Sequence, residues 1–209
     1  MAEDILQFKK TLRKRMVKQR REMDPFERER ISDLIVQRFL DSKAYQNART
    51  IMAYASMHEE VQLKTFIDQA LKDKKRLAIP LINESGVMRP VLLPSMDVLV
   101  EGAFGIPTVK EEDRIFLQPD AFDCVLIPGA AFDYQGHRLG LGGGYYDNFL
   151  PRTSNALKVA LAFDFQFVYQ VPIEPQDVSV DVVITEAKIA AFYDWGMQLW
   201  IKRETPPWL

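Results

Sequence analysis

The chain has 209 residues, 47% of them hydrophobic and 27% charged, with a formal net charge of −2. That length builds one sizeable core and is marginal for two domains, and the near-neutral balance gives no overall pull toward nucleic acid or an anionic membrane. A single cysteine, Cys124 in an apolar run, excludes an intrachain disulfide, and with two histidines far apart in the chain a structural zinc site is not expected. The start, Met1-Ala2-Glu3-Asp4-Ile5, lacks a basic segment followed by an apolar one, and no apolar run approaches bilayer length. A cytoplasmic location is the expectation.

Residues 3–22 read as a helix, with Ile5, Phe8, Leu12 and Met16 forming one apolar stripe at steps of three and four. Most of the surrounding basic residues read as a solvated face. Lys9 and Arg13 differ: four residues apart on one face, they border the stripe and can reach from the core edge into a cleft. Asp24-Pro25-Phe26-Glu27 reads as a helix start, with Asp24 as cap, Pro25 at the first position and Glu27 completing a capping box. Ile31, Leu34, Ile35, Arg38 and Phe39 then mark the buried face of a second helix, ending near Leu40.

Thr50 to Ala55 reads as a buried strand, followed by the polar loop Ser56-Met57-His58-Glu59-Glu60 and a helix marked by Leu63, Phe66, Ile67, Ala70 and Leu71. Ligands of open α/β sheets bind at the carboxyl ends of strands, so this loop is a candidate site. Taken alone, Glu60 reads first as an acid placed favourably at a helix N-terminus, and His58 is an exposed loop residue rather than a catalyst. Two more strands, Arg76 to Pro80 and Met88 to Leu93, flank a turn at Asn83-Glu84-Ser85-Gly86. Residues 94–120 read as an extended connection able to line a pocket. Asp123 to Pro128 is the central strand, Ala156 to Phe163 another, and Asp181 to Thr185 the last. Asp181 taken alone is a turn residue. The tail carrying Trp195, Trp200 and Trp208 is expected to pack over the core.

The stretch with the most chemistry is His137-Arg138-Leu139-Gly140-Leu141-Gly142-Gly143-Gly144-Tyr145-Tyr146-Asp147-Asn148-Phe149-Leu150, which holds four of the ten glycines. It reads as a long turn after the central strand, then a glycine loop, then a helix start. Glycines let a ligand approach the main chain, and free N–H groups at a helix start favour an anion. Arg138 adds a planar fork suited to phosphate oxygens. Asp147, about one turn into the helix, is placed to hold a metal that neutralises phosphate charge. No Gly-Lys-Ser/Thr follows, so this is not a Walker A loop, and Tyr145 occupies the third glycine position of the dinucleotide fingerprint. A flexible surface turn is the plain alternative.

The string resembles the Arg-Leu-Gly-x-Gly-x-Gly-Tyr-Tyr-Asp signature of 5-formyltetrahydrofolate cyclo-ligases, also called methenyltetrahydrofolate synthetases. The likeness extends in the right order over about residues 6–186. It implies one domain over residues 1–209, and an α/β fold: a three-layer α/β/α sandwich with a mixed, mostly parallel sheet of Rossmann-like topology. It further implies an ATP site at Lys9, Lys10, Thr11, Leu12 and Arg13, continuing through Arg138, Leu139, Gly140, Leu141, Gly142, Gly143, Gly144, Tyr145 and Tyr146. The folate would meet Ala55, Glu60, Gly142, Gly143, Gly144 and Tyr145, with Glu60 accepting from the amino and N–H donors of the pterin ring. Lys9, Arg13 and Arg138 would act in catalysis, and Asp147 and Asp181 would hold Mg²⁺. The implied partners are 5-formyltetrahydrofolate and ATP, with no nucleic acid and no membrane, and the protein would act as a monomer. Asn148 stands where members often have Arg, Leu141 where some have Arg or an aromatic residue, and Gly143 where some have Lys.

The implied reaction is ATP-dependent closure of 5-formyltetrahydrofolate to 5,10-methenyltetrahydrofolate. A formamide carbonyl is a poor electrophile and its oxygen a poor leaving group. Phosphorylating that oxygen gives an iminium phosphate open to attack by N10, so the protein has mainly to position and to neutralise charge. Two rivals remain at this level: a sugar-phosphate isomerase or CoA-transferase-like enzyme on a similar fold, and a binder of nucleotide or folate without turnover.

Overall fold

Capping chemistry decides where the first two helices part. In the computed structural model, which describes residues 2–83, 85–102 and 106–192, α1 spans Ala2–Glu22 and α2 spans Pro25–Leu40. The Asp24 carboxylate between them accepts the N–H groups of Phe26 and Glu27, each at 3.0 Å, which satisfies two donors that a helix start leaves unpaired. Glu27 does not complete the box. Its carboxylate takes Arg30 instead, at 2.6 and 2.7 Å.

Both helices bury faces rotated from those the apolar spacing predicts. On α1, Phe8 is 66% exposed and, of the predicted stripe, only Met16 is fully buried; Lys9 and Arg20 are buried with it. On α2, Leu34 and Arg38 face solvent while Arg28, Ser32, Ile35, Val36 and Phe39 are buried. In each case polar side chains turn inward because partners wait there. The Ser32 hydroxyl accepts the Gln62 N–H at 3.0 Å, and Arg28 lies 2.9 Å from the His58 ring nitrogen.

After a short α3 (Lys43–Asn47), the chain lays down β1 (Thr50–Met52), α4 (Lys64–Lys72), β2 (Arg76–Ile82) and β3 (Met88–Leu92). The 94–120 connection is not extended throughout; it holds a hairpin of β4 (Leu99–Glu101) and β5 (Pro107–Val109). The rest comprises β6 (Cys124–Ile127), β7 (Ala131–Asp133), β8 (Arg138–Leu139), α5 (Tyr145–Phe149), β9 (Leu157–Leu161), β10 (Phe167–Val168), β11 (Val182–Ile184) and β12 (Ile189–Ala191). The Trp195, Trp200 and Trp208 tail lies outside the described residues.

The main sheet runs β12-β11-β9-β6-β1-β2-β3. Its five inner strands are parallel, and the edge strands β3 and β12 are antiparallel. The mixed, mostly parallel α/β sheet is therefore as expected, except that β11 is not last. After it the chain turns, with the Thr185 N–H donating to the Lys188 carbonyl at 2.8 Å, and β12 closes the edge. The inner strands are apolar on both sides because both faces are covered.

One face, with Ile51, Leu77, Leu126, Val159 and Val182, packs on the helical layer of α2 to α4. There Phe39, Tyr45 and Phe66 meet with ring centroids 5.6–6.1 Å apart. The other face, with Met52, Ala78, Val125, Ile127, Ala160 and Val183, packs on Phe132, Phe149 and Leu150. This second outer layer carries a small sheet as well as a helix. It combines the short α5 with a three-stranded sheet, β10-β7-β8. No described helix is long and apolar enough to cross a membrane.

Phe66 sits at the centre of the aromatic cluster and is fully buried. Phe66→Ala should lower unfolding free energy by about 3–5 kcal/mol through lost transfer and an unfilled cavity. Denaturant titration checks this as a shift of midpoint at unchanged slope.

Candidate active site

The central strand β6 ends at Ile127, but the glycine run does not follow it directly. Between them stands the β7–β8 hairpin, hidden in what the sequence presents as a long turn. Asp133 builds its tip: its carboxylate accepts the N–H groups of Gln135 at 2.9 Å, His137 at 3.1 Å and Val171 at 2.9 Å, and sits 3.0 Å from His137 Nδ1. The hairpin returns the chain to the carboxyl end of β6, where the Ala130 N–H donates to the Leu139 carbonyl. That return is what places Arg138 and the glycines beside the end of the central strand.

Arg138 is buried. Its Nη2 donates to Asp147 Oδ1 at 2.7 Å and its Nη1 to the Pro128 carbonyl at 3.3 Å, while its buried Nε has no partner. Asp147 also accepts the Val178 N–H at 3.2 Å. Gly142 and Gly144 have φ of +110° and +69°, a region side chains adopt only under strain, and Gly144 caps α5. Leu141, Gly142 and Gly143 are exposed, so the loop presents bare backbone outward.

The inward face of α1 meets this loop. Arg13 Nε donates to the Gly140 carbonyl at 2.9 Å, and the Arg13 guanidinium lies 3.6 Å from where a Cβ on Gly142 would stand. One turn earlier Lys9 pairs with Glu174 at 2.8 Å and with Asp177. Burial works against the Lys9 charge, but these two bonds outweigh it and hold its pKa above the ordinary lysine value. A cavity of about 200 Å³ opens here, lined by His137, Arg138, Glu174, Asp177 and Val178 among others. Lys10 and Thr11 face solvent, and Leu12 packs toward Met16 and Leu139.

The loop after β1 meets α1 further along the same face, at Arg20. Glu60 is 5% exposed; its Oε2 accepts the Met57 N–H at 3.0 Å and its Oε1 lies 3.8 Å from Arg20 Nη1. Burial pushes the Glu60 pKa up, against the Met57 N–H and the Arg20 charge that pull it down. The loop is internally tied: Gln62 Nε2 donates to the Met57 and Glu60 carbonyls at 2.9 and 2.7 Å, and the Ser56 hydroxyl accepts the Leu63 N–H at 3.2 Å. Ala55 is half-buried at its start, and His58 is exposed. Tyr54 and Tyr146 are raised by burial and by the Glu60 charge, so their hydroxyls stay protonated, and the buried Tyr146 hydroxyl has no partner.

Asp181 stands apart from these groups. It lies at the amino end of β11, where its carboxylate accepts the Lys158 N–H at 2.7 Å. Among the described residues no group of three or more His, Cys, Asp or Glu side chains has metal-holding spacing. Sequence reasoning missed Arg20, Glu174 and Asp177. The signal for Arg20 was present, since residues 9, 13, 16 and 20 share one helical face. For Glu174 and Asp177 no local pattern marks the loop as a partner of Lys9.

A profile of the 5-formyltetrahydrofolate cyclo-ligase family matches residues 5–186. The chain belongs to that family. It is thereby an enzyme, a cyclo-ligase, as the glycine signature implies. The mouse 5-formyltetrahydrofolate cyclo-ligase is 33% identical over 189 residues, spanning 85% of this chain and 93% of its own. A solution structure of Aquifex aeolicus 5,10-methenyltetrahydrofolate synthetase superposes with a TM-score of 0.80 at 32% identity, covering 92% of this chain and 96% of the other. The synthetase from Mycoplasma pneumoniae, 24% identical, shares the fold with a TM-score of 0.69 over 85% of this chain and 98% of its own.

The buried Arg138 makes its ion pair with Asp147 indispensable to the cyclo-ligase fold around the glycine loop. Asp147→Ala should cost roughly 3 kcal/mol by stranding a buried charge. Adding Arg138→Met should recover part of that loss in a double-mutant cycle read by denaturation.

Proposed function

We propose that the protein catalyses ATP-dependent cyclisation of 5-formyltetrahydrofolate to 5,10-methenyltetrahydrofolate, releasing ADP and phosphate. The observation that carries this reading is the span of one helix face. α1 touches the glycine loop through Arg13 and the buried Glu60 through Arg20, so a phosphate-suited loop and a ring-suited carboxylate share one wall. On this reading a γ-phosphate held at the loop would meet a formyl oxygen of a folate held at Glu60.

The glycine loop, with the neighbouring Lys9 to Arg13 segment, Leu139, Tyr145 and Tyr146, would receive the nucleotide. Arg138, Arg13 and Lys9 would face the charge that spreads over the transferring phosphoryl group. For Lys9 this means sharing its ammonium with Glu174 and Asp177. Glu60 would accept from the paired donors of the ring, with Ala55 and the loop backbone at Gly142, Gly143, Gly144 and Tyr145 completing the folate contacts. Once the formyl oxygen carries phosphate, N10 attacks the formyl carbon, and the carbon–oxygen bond breaks with phosphate leaving. No protein nucleophile is required. Cys124 is buried in the sheet and burial pushes its thiol up, so it stays protonated.

Mg²⁺ would find a hard oxygen donor in Asp147, which commits Oδ1 to Arg138 and Val178 and keeps a second oxygen with no hydrogen bond among the described residues. Asp181, which accepts the Lys158 N–H at the amino end of β11, stands apart from that loop and would not share the ion with Asp147. Mg²⁺ on nucleotides commonly takes one or two carboxylates with water and phosphate. The ion would neutralise phosphate charge. A cytoplasmic monomer completes this reading.

If the formyl oxygen is phosphorylated, substrate labelled with ¹⁸O in the formyl group delivers the label to inorganic phosphate, as mass spectrometry would read. Label appearing only in water would refute phosphoryl transfer even if the ATP-dependent rise of methenyl absorbance were observed.

A second expectation concerns pH. Ionised Glu60 is the acceptor, and burial raises its pKa, so folate affinity should fall as pH drops through a value above the ordinary glutamate range. Glu60→Gln should flatten that acid limb and weaken folate binding by roughly 2–4 kcal/mol with ATP affinity little changed. Parallel loss of both ligands in calorimetry would point to a folding defect instead.

A further inference from the structure

Arg20 is unusual among the charged groups of this molecule. It is 2% exposed, and its Nη1 is its bonded nitrogen, donating to the Gly129 carbonyl at 3.5 Å beside Glu60 Oε1 at 3.8 Å. Nε and Nη2, which lie along one edge of the guanidinium, are buried and have no partner. Arg28 Nη1 donates to the Arg20 carbonyl at 3.5 Å, and Arg28 also holds His58 in the Glu60 loop. The fork is therefore fixed from behind, and the one edge that offers two parallel donors is buried without an acceptor. Buried cationic donors left without acceptors are costly to keep, and such groups in native proteins call for an acceptor or a functional reason.

The chemistry of that ligand follows from its neighbour. A phosphate or carboxylate at this edge would sit against the buried Glu60 carboxylate and be repelled. A neutral oxygen acceptor next to a group that Glu60 itself binds meets no such penalty. The pyrimidine edge of a 2-amino-4-oxo pterin presents amino donor, N–H donor and carbonyl acceptor in that order. A carboxylate satisfies the first two, and the third requires a donor flanking the carboxylate.

We propose that Arg20 is a specificity-determining residue of the folate pocket, donating from its free Nε–Nη2 edge to the ring carbonyl beside the donors that Glu60 takes. The inference rests on the reading of Glu60 as the ring-binding carboxylate and deepens it. Glu60 and Arg20 together then read the whole edge: two acceptors and one donor against two donors and one acceptor. The anionic phosphates are left to Lys9, Arg13 and Arg138, on the same helix and at the glycine loop. Arg21 and Glu59 flank the pair at the surface.

The test compares 5-formyltetrahydrofolate with its 4-thioxo analogue, which keeps both ring donors and replaces the oxygen by a weaker acceptor. The unaltered protein should bind the oxygen compound on the order of tenfold tighter. In Arg20→Met the affinity for the oxygen compound should drop on the order of tenfold to a hundredfold and the preference for oxygen should vanish, with the loss seen in KM for folate and ATP affinity unchanged. Arg20→Lys keeps a cation beside Glu60 and supports the fold, and should retain part of the preference. Preference for oxygen surviving in a folded Arg20→Met protein overturns the proposal, as does equal loss of both folates and of ATP in both variants. Should Glu60→Ala leave folate affinity intact, the ring-pocket reading itself fails. Should Glu60→Ala lose folate while Arg20→Met keeps the preference, only the role of Arg20 is lost.

Discussion

The inward face of α1 is charged, and a charged face can be buried only against fixed partners. Removing an ammonium or guanidinium from water costs several kcal/mol unless carbonyls or carboxylates replace its hydration. Lys9, Arg13 and Arg20 each find such a group: the Glu174 and Asp177 carboxylates, the Gly140 carbonyl, and the Gly129 carbonyl beside Glu60. Met16 alone gives the helix a fully buried apolar anchor, against Ala130, Ala131, Leu139 and Val171. The helix can therefore dock in one register, and that register joins three segments far apart in the chain. The 173–179 loop, the glycine loop and the 56–60 loop meet because one helix carries a matching cation to each.

The sheet makes those meetings possible. β1 and β6 are parallel neighbours, with Met52 paired to Val125, so the loops leaving their carboxyl ends lie side by side. One carries Glu60. The other becomes the β7–β8 hairpin, and the hairpin carries Arg138 back to the strand end. A direct connection from Ile127 to the glycines would have sent the loop away from the sheet, and the hairpin prevents this by pairing Ala131 with Leu139. Asp133 holds the hairpin tip by accepting from three backbone N–H groups and pairing with the His137 ring, which explains how an aspartate can be buried there.

Much of this was legible in the sequence, and the part that was not has a common cause. The inner strands announce themselves as apolar runs because a doubly covered sheet buries both sides. Asp24 announces the start of α2 because its capping bond is local. The glycine signature announces its loop because Gly142 and Gly144 adopt backbone angles few other residues tolerate. Hydrophobic spacing failed on α1, where Phe8 points outward and Lys9 and Arg20 inward. Periodicity assumes that the buried face is the apolar one, and here the face is decided by partners more than 100 residues away. The hairpin of β7 and β8 was missed because strands of three and two residues carry too few positions for an alternation to register. β12 was missed because its three residues are only half-buried and its pairing is set by the turn at Thr185.

What the site leaves unsatisfied is as ordered as what it satisfies. Among the described residues, the buried side-chain atoms without a partner are Arg20 Nε and Nη2, Arg138 Nε and the Tyr146 hydroxyl. Scattered packing defects would not be confined to groups around one site, nor would all of them be donors with Tyr146 held protonated by burial. Donors fixed in a desolvated place need no reorganisation when an acceptor arrives, which is the electrostatic advantage of a preorganised site over water. The same fixation is a standing cost to the unliganded fold. The protein tolerates it because the cost falls where α1, the glycine loop and the Glu60 loop are each held by other bonds: Arg13 to Gly140, Arg138 to Asp147, Met57 to Glu60. Stability is spent on keeping these donors without acceptors of the protein's own, beside the loops that the proposed function assigns to a folate and a nucleotide.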